Sequence, residues 1–406
     1  MKKRYIVFGF FTIWSVYGFG QANVKPSAKK RIARSTIDIV YGHYIQDGKH
    51  SAVTGGTGTE KLRVYSPEFM YTRQVDSLTS YSVQAGLDII SSASTDRIDF
   101  AVSSASSLDG HGYLGAGYNR TLQRKRNITL GATVSAAIES DYLSRGGGVS
   151  IAVNSRDRQQ EFTASFEAFF DDLRWGRLNG VRPLRLIYPI ELRNTGWFDE
   201  YRRYSYNLAL SFRQVINEKT VLAIYPGLQY QEGLLSTPFH RVYFRDNSLK
   251  VENLPGKRLK IPVGVQLNTY LGGKCFLKNY YRFYWDDFDI IAHTFRTELA
   301  IKLAPGTFLT PMFRFYTQNG TPYFKPYKEH ELTADFFTSD YDLSGFQSYE
   351  AGLEARLPGA GKPGVNPFVN HATMRYAFYH RSDGLRAHII TLLLSLTEQK
   401  HKPGKK

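Results

Sequence analysis

Residues 258–271 read Arg258-Leu259-Lys260-Ile261-Pro262-Val263-Gly264-Val265-Gln266-Leu267-Asn268-Thr269-Tyr270-Leu271. Leu259, Ile261, Val263, Val265, Leu267 and Leu271 fall on one face of an extended chain. Arg258, Lys260, Gly264, Gln266, Asn268 and Tyr270 fall on the other. Successive side chains of a strand point to opposite faces, so this is a strand with one apolar and one polar side. Its length separates two architectures. Globular strands usually run about 5–6 residues, whereas a strand crossing a bilayer needs roughly 10. Residues 290–303 repeat the pattern, with Ile291, Phe295, Leu299, Ile301 and Leu303 opposing Thr294, Arg296, Glu298 and Lys302. Residues 201–213 do so again, Tyr204, Tyr206, Leu208, Leu210 and Phe212 opposing Arg203, Ser205, Asn207, Ser211 and Arg213.

The same alternation predicts strands near 35–45, 60–72, 80–90, 110–122, 127–140, 147–156, 160–171, 201–214, 219–231, 258–271, 274–285, 290–303, 307–318, 346–357, 368–381 and 385–397. Short turns at Gln123–Asn127, Arg156–Gln159, Ile216–Lys219, Gly272–Lys274 and Ala304–Gly306 alternate with longer stretches at 46–59, 91–108, 172–200, 232–257 and 319–345. Short turns on one rim and long loops on the other is the arrangement of a transmembrane barrel with its long loops outside the cell. The expected fold is therefore all-β: a single antiparallel transmembrane β-barrel of about 16 strands, with short periplasmic turns and long extracellular loops.

Composition agrees. The 406 residues carry 52 Lys+Arg against 36 Asp+Glu, with 28 Tyr and 27 Phe. A chain this apolar and aromatic is not disordered. Cys275 is the one cysteine, which excludes a disulfide framework and a CxxC-type zinc site. Tyr280-Tyr281, Tyr284-Trp285 and Tyr376 to Tyr379 lie near strand ends, where aromatic rings favour the water–hydrocarbon boundary.

Met1-Lys2-Lys3-Arg4 followed by the apolar run Tyr5 to Phe19 and the Gly20–Ala22 region reads as a cleaved signal peptide. No later run is long enough for a spanning helix, Ile389 to Leu396 being interrupted by Thr391 and Ser395. The expected organisation is 1–21 signal peptide, 22–34 periplasmic segment, 35–397 barrel and 398–406 basic tail. The expected location is the outer membrane.

Several stretches also carry a resemblance: 46–60 (QDGKHSAVTGGTGTE), 88–98 (DIISSASTDRI), 141–148 (DYLSRGGG), 237–244 (TPFHRVYF), 281–294 (YRFYWDDFDIIAHT), 313–318 (FRFYTQ) and 339–346 (SDYDLSGF). Together they resemble an uncharacterised "domain of unknown function" family of Gram-negative outer-membrane β-barrel proteins. The resemblance implies fold and location and supplies no substrate. One departure from outer-membrane barrels generally is the chain end, where Leu396 closes the last predicted strand and a polar tail follows.

With the apolar faces toward lipid, Lys278, Arg282, Arg296, Glu298, Lys302 and Arg314 gather on the inner wall, and Arg203 and Arg213 join it elsewhere. Such a wall suits an anion-selective constriction. The alternative is a salt-bridged network with Glu298, Asp286 and loop carboxylates that stiffens the lumen. His240, Arg241 and Arg245 mark the 232–257 loop as a candidate lid, folding inward or merely covering the mouth. Trp285, Asp286 and Asp287, with His293, mark an outer hairpin. A structural turn outweighs a cation site there, because Asp caps turns and the spacing lacks a full calcium-loop pattern. His293 takes the lipid-facing parity near a rim.

The 53–59 run (VTGGTGT) lacks the lysine and following helix of a phosphate loop. No Ser–His pairing stands out, so no catalytic residue, enzyme activity, metal or cofactor is expected. Expected partners are outer-membrane lipids and lipopolysaccharide, the barrel-assembly machinery, and a periplasmic or lipoprotein partner, with no nucleic acid. The expected function is a channel or export component for a small polar or anionic solute or secreted product. A non-conducting surface or assembly platform is the alternative, and a barrel hydrolase the third.

Overall fold

The computed structural model describes residues 34–92, 108–122, 127–139, 142–173, 201–359 and 368–399. The predicted signal peptide, most of the 91–108 and 172–200 loops and the end of the basic tail lie outside them.

The chain forms β1 (Arg34–Asp47), β2 (Leu62–Gln74), β3 (Thr79–Ser92), β4 (Leu108–Thr121), β5 (Ile128–Glu139), β6 (Tyr142–Asn154), β7 (Gln160–Asp172), β8 (Arg202–Asn217) and β9 (Thr220–Gly233). After a loop with the short pair β10 (Arg241–Tyr243) and β11 (Leu249–Val251) come β12 (Lys257–Gly272), β13 (Cys275–Asp286), β14 (Ile291–Ala304), β15 (Thr307–Gln318), β16 (Phe346–Pro358), β17 (Phe368–Arg381) and β18 (Arg386–Gln399). Leaving out β10 and β11, the strands make a closed antiparallel barrel of 16, each paired with its neighbour along the chain and β1 joined to β18. Among the described residues there is no α-helix.

Closure removes free sheet edges, so every strand finds both ladders of backbone partners within the protein. Side-chain parity then divides the wall. Leu114, Val134, Val149, Phe166, Phe295, Leu353 and Met374 all point outward, Val134 and Val149 with more than 60% of their surface free (64% and 62%). An apolar surface running round the whole barrel is far beyond the patches that soluble proteins expose. It matches the hydrocarbon-facing band of a membrane barrel.

Two local expectations change. Strand β6 starts at Tyr142, five residues before the predicted 147, so the β5–β6 connection is short although it lies on the long-loop rim. The Gly146-Gly147-Gly148 run belongs to the strand, and Gly146 makes room for a neighbour: a Cβ there would lie 2.5 Å from the Phe169 ring. The aromatics named for the interface also split. Tyr281 and Tyr376 face outward and are exposed, whereas Tyr280, Tyr284 and Tyr379 take the opposite, lumen-facing parity.

Candidate functional site: the lumen and its outer cap

Every lumen candidate lies on the inward face. Lys278 stands across from Glu298, Arg296 across from Arg314, and Arg314 across from Glu350. Arg282 stands across from Gly264 on one side and Thr294 on the other.

The charges on this wall are largely compensated. Glu298 holds both Lys278, at 3.6 Å, and Arg296, and Arg314 sits 3.7 Å from Glu350. On β17, Arg375 donates from Nε to Glu354 at 2.9 Å. Arg203 pairs with Asp171, and Arg213 reaches Glu161 at 3.4 Å. The salt-bridged network weighed from the sequence is therefore real for most of these residues. Arg282 differs: it has no ion pair among the described residues, and its buried Nε has no hydrogen-bond partner.

The opposite wall is built otherwise. Half a circuit from β13, strand β3 carries Gly86 and Asp88 inward, and β2 carries Glu68. Glu68 accepts from Gln84 Nε2 at 2.8 Å and from the Tyr113 hydroxyl at 3.0 Å. Asp88 lies 3.3 Å from His111 Nδ1. Further round, Gly115, Gly117, Gly131, Ser135, Gly146, Gly148 and Ser150 leave the wall low and smooth. The lumen is thus basic and bulky on one side and weakly acidic and shallow on the other.

The hairpin residues act as a clamp. Asp286 is fully buried and accepts from Arg258 Nε (3.0 Å) and Nη2 (2.5 Å), the Tyr284 hydroxyl (2.6 Å) and the backbone N–H groups of Phe288 (3.0 Å) and Ile290 (3.1 Å). Asp287 accepts from the Leu259 N–H at 2.9 Å, tying the hairpin to β12. Trp285 and His293 face outward on β13 and β14, where Nδ1 of His293 meets the Tyr281 hydroxyl at 2.8 Å. The hairpin belongs to the rim and not to the lumen cluster.

The outer loops fold together. Residues 234–256 and 319–345 share a core of Val242, Phe244 and Phe337, and a second core of Leu254, Phe288, Ile290 and Leu343 packs against inward-facing Tyr284. Arg381, inward on β17, binds Asp342 of the second loop. The third loop, 48–61, locks on through Gly55, whose φ of 79° and contact with Tyr243 both exclude a side chain. The 232–257 loop thus packs with the other two over the rim residues Tyr284 and Arg381.

His240, a lid candidate, is at the centre of this cap: its Nδ1 lies 3.1 Å from Glu252 and 3.9 Å from Asp340. Glu252 also accepts from the Thr237 N–H (2.6 Å) and the Thr338 hydroxyl (2.5 Å). Burial pushes the His240 imidazole down, but the Glu252 carboxylate lifts it further, and it ends above its usual value. Glu252 moves the other way: burial raises it, and His240 with the hydrogen bonds holds it below the usual range. Asp340 is pushed up to about 6 by burial and by neighbouring Asp342. Arg241 Nη1 donates to the Pro238 carbonyl at 3.2 Å, and Arg245 forms an exposed pair with Glu331. Sequence reasoning missed Glu252 and Asp340 as partners of His240, and Thr338 as a partner of Glu252, because they come from a loop far along the chain or carry no motif of their own.

A family described as "Protein of unknown function (DUF3570)" matches residues 15–382. The chain belongs to that family. No curated protein matches it. Among solved structures it is similar to OccK1 (OpdK) of Pseudomonas aeruginosa, at 8% identity and a TM-score of 0.40, covering 90% of this chain and 98% of that one. A BenF-like porin from Pseudomonas fluorescens Pf-5 gives 9% identity and 0.43, covering 91% and 99%. A bacterial polysaccharide outer membrane secretin gives 10% and 0.43, covering 91% and 99%.

Proposed function

We propose that this DUF3570 protein is an outer-membrane channel that favours small anionic solutes, with the three-loop cap narrowing its outer mouth. The observation that carries this reading is Arg282, a guanidinium on the lumen wall left without a carboxylate while its neighbours are paired. A fixed cation with low-dielectric walls behind it attracts anions and repels cations. In this reading the N-terminal residues are a cleaved export signal, the assembly machinery inserts the barrel, and the lumen transports and does not catalyse. The test is conductance of the purified barrel in a planar bilayer. Arg282→Gln is expected to lower the anion-to-cation permeability ratio several-fold at low salt, about the effect of one unscreened charge. Absence of current at every voltage and salt sinks the channel reading. It would instead favour a closed barrel serving as a platform, a second reading that the apolar core of the cap supports.

A further inference from the structure

The lipid-facing surface carries a feature that conduction does not use. At the loop ends of β16, β17, β18, β1 and β2, outward side chains form a polar cluster. Arg386 opens β18 directly across from His380 of β17, and His388 follows on the same face. Beyond β1, Arg63 of β2 stands level with Ile45, which is level with His388. His43 lies across from Tyr65, rings 4.6 Å apart, and its buried Nε2 has no hydrogen-bond partner. Aromatic neighbours fix the imidazoles. Tyr349 stacks on His380 at 5.1 Å, and the Tyr376 hydroxyl meets Nδ1 of His388 at 2.8 Å. Both Arg386 and Arg63 are exposed and make no ion pair among the described residues, although Asp47 stands across from Arg386 in register.

Below the cluster the same strands are hollowed. A groove of about 410 Å³ runs over Ile39, Tyr41, Ala355, Ala372, Met374 and Leu392. Ala355 and Ala372 create it by standing among larger neighbours, since Ala355 pairs with Met374 and Ala372 with Leu394. Along β17 the outward residues run His380, Phe378, Tyr376, Met374 and Ala372, so the groove opens six residues below the cluster on the same face. Cations and N–H donors at the interface above an apolar groove at hydrocarbon depth complement a lipid with an anionic head and an acyl tail.

We propose that this face binds one phosphorylated glycolipid of the outer leaflet, its phosphates on Arg386 and Arg63 with the imidazoles as further donors, and one acyl chain in the groove. Arg386 and Arg63 lie two strands apart and two residues out of level, about 12 Å at the usual strand spacing and rise. That separation fits two phosphates on a sugar headgroup better than the one phosphate of a glycerophospholipid. The proposal rests on the reading of the long-loop rim as the cell-exterior side.

Native mass spectrometry of the detergent-purified full-length barrel tests it, using bis-phosphorylated lipid A, the same lipid with its phosphates removed, and phosphatidylglycerol as probes. The expected result is one retained bis-phosphorylated molecule and weak retention of the other two. Arg386→Gln with Arg63→Gln is expected to cut retention about tenfold, the scale of losing charge-assisted hydrogen bonds to phosphate. Ala355→Leu with Ala372→Leu, which fills the groove, is expected to weaken binding without touching the charges. Heat-modifiable gel mobility confirms that each variant is folded, and the unmutated protein with the three lipids gives an answer even where a variant is not. Equal retention of the three lipids, or of wild type and the arginine variant, overturns the proposal. Because these residues face away from the lumen, conductance is expected to be unchanged in every variant, so the failure of this site and the failure of the channel reading are separate results.

Discussion

The two walls of the lumen are made from the same strand geometry and solve opposite problems. On β12–β17 the inward positions hold long charged side chains, and their order comes from carboxylates shared across strands, as Glu298 is shared by Lys278 and Arg296. On β3–β6 many inward positions are glycine or serine, and at Gly86 and Gly146 an aromatic ring of a neighbouring strand packs over the bare backbone. At Gly86 a Cβ would fall 2.2 Å from the Tyr113 hydroxyl, the group that holds Glu68 at 3.0 Å. One wall is therefore stiffened by charge pairing and the other by close packing over missing side chains. Width and polarity of a pore can be set independently when the two tasks fall on opposite sides.

The sharpest way to break this contrast is at the clamp above the charged wall. Asp286→Ala leaves the Arg258 guanidinium in a buried site without its carboxylate and frees two N–H groups of the hairpin. Removing one partner of a buried pair costs about 3–5 kcal/mol. Chemical denaturation in detergent, with proteolysis of the 234–256 and 319–345 loops, checks it, and unchanged stability and protection would refute the clamp. On the glycine wall, Gly86→Val drives the Tyr113 ring off Glu68 at a cost of about 1–3 kcal/mol. Gly115→Ala, whose nearest neighbour is a carbonyl 3.8 Å away, is expected to be close to neutral by the same melt. If both substitutions behave alike, the packing account of this wall is wrong.

A smaller effect separates charge number from charge pairing. Glu298→Gln removes the carboxylate shared by Lys278 and Arg296, so reversal potentials are expected to move further toward anions, by a few-fold in permeability ratio at low salt. The least drastic test is pH acting on the cap. His240 sits above its usual 6.5, so its contribution is full below that value and is lost as pH rises through the raised one. Asp340, lifted from 3.8 to about 6, makes ionisation costly over that interval, which also disfavours the folded cap as pH rises. Glu252, Asp246 and His330 oppose them, but only toward acid: each is held below its usual value, so its contribution fades as pH falls through about 4.5, 3.8 and 6.5 respectively. Amide exchange in the 234–256 and 319–345 loops is therefore expected to quicken as pH rises above 6.5, and His240→Gln to flatten that dependence.

Much of the barrel was legible because period-two patterning and strand length are local properties. The strand at 307–318 matches β15 residue for residue, and 258–271 differs from β12 by one residue at each end. Inward placement of Arg282, Arg296 and Arg314 follows from the same parity. Pairing does not: whether Glu298 or Glu350 neutralises a given arginine depends on the register of neighbouring strands, which alternation leaves open. The start of β6 was less legible, the strand being predicted from 147 and beginning at Tyr142. Gly146 there answers to Phe169 on the next strand, a contact that the order of residues along the chain does not show. The cap was least legible, since His240, Glu252 and Asp340 meet through loops with no periodicity to read.

The seam between β1 and β18 governs how such a molecule can be made. All 14 residues of β1 pair with β18, from Arg34 opposite Gln399 to Asp47 opposite Arg386. Every other wall contact joins strands that follow one another along the chain, so hairpins can form in sequence as partners arrive. This contact alone waits for the last strand, and until then both β1 and the growing end offer bare backbone to any neighbour. The slowest step of assembly is thus expected at this junction, and a cross-link between β1 and β18 would report the moment the ring shuts.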